Sequence, residues 1–209
     1  KFAALDACGM GVEMEGGKPG WYDALNGLPG MLGSSMAETY ELLRLTETVR
    51  RILEKETGEI GIPIELADLM EELSVESRTY LEDGDDMTFW NRRNDSREHY
   101  REKIYHNPSG KRKQVAAHLV YEQLSLFSEL ITGGIERAKN YGTETVPCYF
   151  YYEVEEYRED EQGILPLSFQ VHPVADFLEG PVRYLKLDME KERKRELYQK
   201  VKKSGLYDQ

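Results

Sequence analysis

Cysteines and long apolar runs are both scarce in this sequence. Only Cys8 and Cys148 occur among 209 residues, far apart and outside any metal-ligand spacing. We expect two free, mostly buried thiols of a reducing compartment, with one long-range disulfide as the alternative. No apolar run approaches the roughly 20 residues that span a membrane, and no signal-peptide pattern is present. These absences predict a cytoplasmic protein with no metal site and no membrane contact.

Basic residues are also scarce relative to acidic residues. The chain carries 27 basic and 39 acidic residues, which gives a formal net charge of −12. Nucleic acids and anionic membranes both require a basic surface, so this balance argues against either partner. The sequence also lacks a P-loop, a G-x-G-x-x-G segment and a G-x-S-x-G elbow, so nucleotide binding and serine hydrolase chemistry have no support.

Glycine and proline are concentrated in residues 16–34, GGKPGWYDALNGLPGMLGS, which contain six glycines and two prolines. Such a stretch forms neither a continuous helix nor a regular strand, but its apolar side chains must be buried. We expect an ordered, tightly turned loop that holds Trp21 and Asp23 in place. An aromatic ring can stack on a sugar, and a carboxyl group can protonate a glycosidic oxygen. A structural turn, with Trp21 in the core and Asp23 as a cap, is the alternative.

Residues 21–26, WYDALN, resemble the W-N-D-x-x-N segment of the cellobiose-phosphorylase-like enzymes, glycoside hydrolase family 94 and related β-glucan phosphorylases. The similarity is strongest over about residues 9–45 and looser elsewhere. It implies that Asp23 is the general acid and that Trp21 lies at the donor subsite. It also implies substrate contacts by Tyr22 and Asn26, although the family has asparagine where this chain has Tyr22.

The resemblance further implies the reaction. In an inverting phosphorylase, inorganic phosphate attacks the anomeric carbon of a β-glucosidic bond and releases a sugar 1-phosphate. Phosphate is already a nucleophile, so one acid suffices and no cofactor is needed. The resemblance also implies an (α/α)6 barrel, of which this chain would be a catalytic-domain fragment. The expected partners are an oligosaccharide, phosphate, the remainder of the polypeptide and a possible second copy in a homodimer.

Two further acidic residues precede the glycine-rich stretch. Glu13 and Glu15 flank Met14, and in an extended segment both glutamates point to the same side. They could bind sugar hydroxyls beside Asp23, or they could belong to a solvated strand face. If one of them activated a water molecule, the enzyme would be an inverting hydrolase. A third possibility is a non-catalytic helical module that binds carbohydrate or serves as a scaffold.

The periodicity of apolar residues predicts a mainly α chain with a small β hairpin, an α+β fold. Residues 1–57 would contain the active-site loop and a barrel helix that begins with a capping box at Ser35 and runs to about Glu56. Residues 58–187 would form a helical insertion that ends in a hairpin at about 145–172. This insertion includes a helix after Pro63 and a long helix from Lys111 or Gln114 to about Asn140. A charged C-terminal helix would occupy residues 188–209.

Overall fold

The structure, a computed structural model, describes residues 1–14, 33–142, 144–161 and 163–206. The six α-helices of these ranges are α1 Met36–Leu53, α2 Ile64–Asp83, α3 Asp86–Tyr105, α4 Ala117–Ala138, α5 Glu179–Tyr184 and α6 Lys191–Lys203, and two short 3-10 helices occupy Phe2–Ala4 and Lys139–Tyr141. The six strands are β1 Val12–Glu13, β2 Gly33–Ser35, β3 Glu59–Pro63, β4 Arg112–Ala116, β5 Tyr149–Asp160 and β6 Gly163–Pro173. The predicted α+β class is therefore confirmed.

Four strands form an antiparallel sheet in the order β1-β2-β5-β6. The hairpin expected at about 145–172 is present as β5 and β6, whose β-branched and aromatic residues suit a pleated sheet. Strand β2 lies between the hairpin and β1, with Ser35 opposite both Tyr149 and Val12. The hairpin therefore extends a sheet whose other half flanks the glycine-rich stretch.

Local capping chemistry sets several helix ends. Ser35 begins α1 by accepting a hydrogen bond from the Glu38 backbone N–H, as the capping box predicts. Gly84 ends α2 in the left-handed conformation, with a φ of 69°. Asp85 then caps α3 by accepting a bond from the Thr88 N–H. Short connections between helices thus follow directly from residues that the sequence displays.

The predicted boundaries of two helices are wrong, because the residues beside them form a second, two-stranded sheet. Strands β3 and β4 pair antiparallel, with Ile60 opposite Val115. The helix predicted from Lys111 or Gln114 therefore begins only at Ala117, because the preceding residues are extended. Similarly, α1 ends at Leu53 rather than near Glu56, because the chain turns there toward β3.

The main core is apolar and rich in aromatic side chains. Phe2 stacks on Phe127 at a centroid distance of 4.3 Å, and Tyr40 meets Tyr184 edge to face at 5.1 Å. The buried cluster includes side chains from residues 1–57, 58–187 and 188–209, so all three predicted segments contribute to one core. The division into barrel and insertion stays a prediction. Among the helices described, none combines the length and apolarity needed to cross a membrane.

Candidate functional site

The two ends of residues 15–32 are held side by side. Strands β1 and β2 place Glu13 opposite Ser34, and the Met14 N–H donates to the Gly33 carbonyl at 2.9 Å. The chain therefore leaves the sheet and returns to it at adjacent positions. Five predicted site residues lie in this interval and so outside the described residues: Glu15, Trp21, Tyr22, Asp23 and Asn26.

A buried carboxylate, Asp6, organises the base of this interval. One of its oxygens accepts the backbone N–H groups of Cys8 and Met10, at 3.1 and 2.9 Å. The other accepts the Gly11 N–H at 2.6 Å and the Ser34 hydroxyl at 2.7 Å. A carboxylate that accepts several hydrogen bonds keeps its charge inside a protein at much lower cost than an isolated one. Asp6 thus joins the turn before β1 to strand β2.

Strand β5 completes this network through Tyr152. Its hydroxyl donates to the same Asp6 oxygen and lies 3.1 Å from the Ser34 hydroxyl. Burial raises the pKa of Tyr152 well above its usual value, and the nearby Asp6 charge raises it further. The phenol therefore stays protonated and acts as a hydrogen-bond donor. The Asp6 network, defined as Asp6, Ser34 and Tyr152, links both ends of residues 15–32 to the hairpin.

A buried cation, Arg93, supports the other side of the N-terminal segment. Its guanidinium donates to the carbonyls of Phe2, Leu5 and Asp6 at 3.0 to 3.2 Å. The group lies 4.5 Å from the Phe89 ring centroid, a cation–π contact. Burial lowers the pKa of Arg93 to about 10, which still leaves it charged at neutral pH. Because α3 carries Arg93, this helix holds residues 2–6 in position.

Close packing against α4 and β2 also holds the N-terminal segment in place. Gly134 of α4 lies so close to the Gly9 carbonyl that a Cβ at position 134 would approach its oxygen to 1.9 Å. A Cβ at Gly11 would come within 2.3 Å of the Ser34 hydroxyl oxygen. Only glycine fits at either position, because the neighbouring atoms belong to backbone or to the Asp6 network. The position of residues 9–11 is therefore fixed by close packing as well as by hydrogen bonds.

Glu13 is the one predicted site residue that the structure describes. Its two oxygens accept the Trp90 indole N–H at 2.6 Å and an Arg97 N–H at 2.8 Å. The side chain is only 8% exposed, so the alternative of a solvated strand face is wrong for this residue. Sugar binding by Glu13 stays a prediction.

Three aromatic residues outside residues 15–32 have partners within the protein: Trp90, Tyr149 and Tyr151. Trp90 of α3 is buried and meets Phe169 edge to face at 5.6 Å. Tyr149 is also buried, and its hydroxyl donates to Glu179 at 2.6 Å. Tyr151 stacks on His172 of the neighbouring strand at 4.7 Å. The contact between Tyr151 and His172 is a cross-strand aromatic pair of the hairpin.

The remaining reactive groups do not form a second centre in the described ranges. Cys8 and Cys148 are free thiols, as predicted. Burial raises the pKa of each to about 12, so both stay protonated and are poor nucleophiles at neutral pH. Within residues 1–14, 33–142, 144–161 and 163–206, no group of three histidine, cysteine, aspartate or glutamate side chains is arranged to hold a metal.

Comparison with known proteins adds no relative. No protein-family model matches this chain, and no curated protein matches it. An assignment of function therefore depends on the motif in residues 21–26 and on the frame formed by Asp6, Ser34, Tyr152 and Arg93, which holds the described segments on either side of residues 15–32.

The residues of that frame were not identified from the sequence. Asp6 precedes the Cys8-Gly9-Met10-Gly11 turn, and an aspartate before a glycine-rich turn commonly accepts backbone N–H groups. That local signal was available for Asp6. The contributions of Tyr152 and Arg93 depend on contacts across more than 80 residues of sequence, which no local pattern displays.

Proposed function

We propose that this chain is part of an inverting glycoside phosphorylase. The enzyme would cleave β-glucosidic bonds of cellobiose or β-gluco-oligosaccharides with inorganic phosphate and release a sugar 1-phosphate. The supporting observation is the rigid base of residues 15–32, whose two ends meet at Met14 and Gly33 above the Asp6 network. Loops mounted on a rigid scaffold are common places for binding and catalytic groups.

Asp23 is the general acid in this proposal. It protonates the glycosidic oxygen while phosphate attacks the anomeric carbon from the opposite face, so the C–O bond breaks and the leaving sugar departs with a hydroxyl group. Trp21 stacks on the donor sugar, and Tyr22 and Asn26 contact its polar edges. Proton transfer requires accurate placement of the acid, because small displacements of reacting groups cause large rate losses.

The contacts of Glu13 argue against this residue as the base of an inverting hydrolase, while Glu15, the other candidate base, lies outside the described residues. An inverting hydrolase needs a second carboxylate that is free to accept a proton from water. Both oxygens of Glu13 instead accept hydrogen bonds from Trp90 and Arg97. A phosphorylase needs no such base, since its nucleophile is an anion. Glu13 then helps to position the segment that follows it, and Glu15 remains a proposed substrate contact.

The same proposal assigns a larger architecture. Helices α1 to α4 would contribute to an (α/α)6 barrel completed by other parts of the polypeptide, with β5 and β6 as a peripheral hairpin. The free thiols accord with a reducing, cytoplasmic location. Inorganic phosphate is a co-substrate, and the reaction as proposed uses no other cofactor.

The decisive experiment compares Asp23→Asn with wild type in the complete polypeptide that contains this chain. Sugar 1-phosphate is measured from cellobiose and from a panel of β-gluco-oligosaccharides, with and without phosphate. We expect phosphate-dependent cleavage that falls by about 10²–10⁴-fold in the variant, the usual contribution of a general acid. Asp95→Asn, an exposed aspartate on α3, is the matched control and should retain full activity.

Three results would overturn the proposal. Wild-type phosphorolysis by Asp23→Asn would remove the acid from position 23. Cleavage that proceeds equally without phosphate would identify a hydrolase. Saturable sugar binding without any cleavage would identify a non-catalytic carbohydrate-binding module.

A further inference from the structure

The outer half of the hairpin is an exposed ribbon. The first four residues of β5 are buried or half-buried, whereas the last eight, residues 153–160, are all exposed. Large apolar side chains are exposed here as well, with Tyr157 at 60% and Ile164 at 67%. An isolated two-stranded ribbon is only marginally stable in water, and exposed apolar groups often mark an interaction surface. The exposed apolar side chains therefore make this part of the hairpin a candidate interaction surface.

The ribbon is also strongly acidic. Residues 153–161 contain six acidic residues and one arginine, a net charge of −5. Arg158 lies near Asp160 and His172 lies near Glu153, at 3.9 and 3.5 Å. Among the residues that the structure describes, Glu155, Glu156 and Glu159 form no ion pair. Two such ribbons repel each other, so a partner for this surface must be basic.

Helix α6 provides a surface with the opposite charge. Its sequence, KERKRELYQKVKK, contains seven basic and two acidic residues, a net charge of +5 in a chain of net charge −12. Leu197 faces the core, while Tyr198 is 54% exposed and offers an apolar contact. Within the described ranges, Arg193, Arg195 and Lys200 form no ion pair. Among the described elements, α6 is the most basic helix and the outer hairpin is strongly acidic, and each has several charged side chains without an ion-pair partner.

We propose that two copies of this chain form a twofold-symmetric dimer in which the outer hairpin of each copy lies on α6 of the other. Such an arrangement repeats the same contact twice and closes the assembly. The outer hairpin is the longer surface, since eight strand residues extend about 27 Å and thirteen helical residues about 20 Å, so α6 can lie along most of it. Opposite charges align the two surfaces, and Tyr157, Ile164 and Tyr198 supply apolar area. The inference does not depend on the proposed catalytic activity.

Charge reversal tests this dimer. Sedimentation and light scattering of the full chain at low ionic strength should give a mass twice the 24.2 kDa of one chain. Added salt should weaken the dimer, since exposed charges are screened. The hairpin variant changes Glu155, Glu156 and Glu159 to lysine, and the helix variant changes Arg193, Arg195 and Lys200 to glutamate. Each variant alone should dimerise at least about tenfold more weakly, because like charges then face each other.

Mixing the two variants gives the strongest prediction. In the mixed dimer each reversed surface meets an opposite charge, so association should return to near the wild-type level. The matched control changes Glu54, Glu56 and Glu82 to lysine, three exposed glutamates elsewhere, and should dimerise as wild type. Circular dichroism checks that each variant is folded.

Several outcomes would overturn the dimer. A wild-type chain that is monomeric at low salt and high concentration has no such interface. A dimer that tolerates both reversals uses another surface. Reversals that weaken the dimer but are not restored on mixing would show that the hairpin and α6 do not contact each other.

Discussion

The two halves of strand β5 differ in burial and in whether the carboxylates beside them have hydrogen-bond or ion-pair partners. At its inner end, Tyr152 belongs to the Asp6 network, where a buried carboxylate has a hydrogen-bond donor for each of its lone pairs. Beginning at the next residue, Glu153, the strand is exposed, and several of its carboxylates have no cationic partner. The inner region is therefore buried and held by hydrogen bonds to neighbouring elements, whereas the outer region is exposed to solvent. Substitutions of similar chemistry should have very different effects in the two.

The largest difference is expected between Asp6→Ala and Glu155→Ala. Removal of the Asp6 carboxylate removes the acceptor of five hydrogen bonds, four of them buried, so the free energy of unfolding should fall by about 3–5 kcal/mol. Glu155→Ala should change it by less than about 0.5 kcal/mol, as is usual at exposed sites. Urea unfolding followed by circular dichroism measures both. Equal effects of the two substitutions would contradict the comparison.

The two adjacent glycines of α4 provide a sharper pair. Gly134→Ala should destabilise the chain by about 1–3 kcal/mol, because its Cβ would overlap the Gly9 carbonyl oxygen and force the backbone to shift. A Cβ at Gly133 meets nothing within 4 Å, so Gly133→Ala should stabilise the helix by about 0.5–1 kcal/mol. Thermal unfolding of both variants tests this. If Gly134→Ala were stabilising, the close approach of α4 to the N-terminal segment would be wrong.

Removal of one tyrosine hydroxyl should have different effects on stability in the inner and outer halves of the hairpin. Tyr152→Phe removes a donor to Asp6 and should lower the free energy of unfolding by about 1–2 kcal/mol. Tyr157→Phe, on the exposed part of the same strand, should leave it unchanged within about 0.5 kcal/mol. Both variants keep the aromatic ring, so packing is preserved. A neutral result for Tyr152→Phe would exclude an energetic role for its hydroxyl.

The smallest effect concerns an ion-pair network of intermediate exposure. Partial burial opposes ionisation of Glu41, but hydrogen bonds from Arg183, Arg44 and Lys186 outweigh it and lower its pKa to about 2. A lowered pKa adds stability that is present above the unfolded value of about 4.5 and is lost as pH falls toward 2. In Glu41→Gln, this acid-dependent part should disappear. The measurement is the free energy of unfolding between pH 5 and pH 2.

The control for Glu41 is Glu54→Gln, an exposed glutamate just after α1. Its curve should run parallel to that of wild type over the same pH range. If Glu41→Gln also ran parallel, the arginine and lysine contacts would not contribute to acid stability.

Elements with a local cause could be predicted from the sequence. The capping box at Ser35, the helix after Pro63 and the hairpin all follow from neighbouring residues, and each is present. The β3–β4 pair could not be predicted in this way. Its strands are short, lie about 50 residues apart, and β4 is composed largely of residues that also suit a helix.

The candidate site likewise combines residues that local sequence indicates with residues that only the fold brings together. Composition and resemblance direct attention to Trp21 and Asp23, both outside the described residues. Glu13 was identified, but its partners Trp90 and Arg97 come from α3, far along the chain. A buried polar network is a tertiary property, because each member is satisfied only when distant elements meet. The supporting contacts could therefore not be predicted from local sequence, and the roles of Trp21 and Asp23 stay predictions.

The two protonated thiols give the chain a built-in reporter of unfolding. With a pKa of about 12, only about one in ten thousand molecules of each thiol is ionised at pH 8. Maleimides and iodoacetamide should therefore react slowly with native Cys8 and Cys148, and rapidly once unfolding exposes them. Mass spectrometry can follow this alkylation at each cysteine separately. A fluorescent dye could likewise be attached at a newly introduced surface cysteine without removing either natural one.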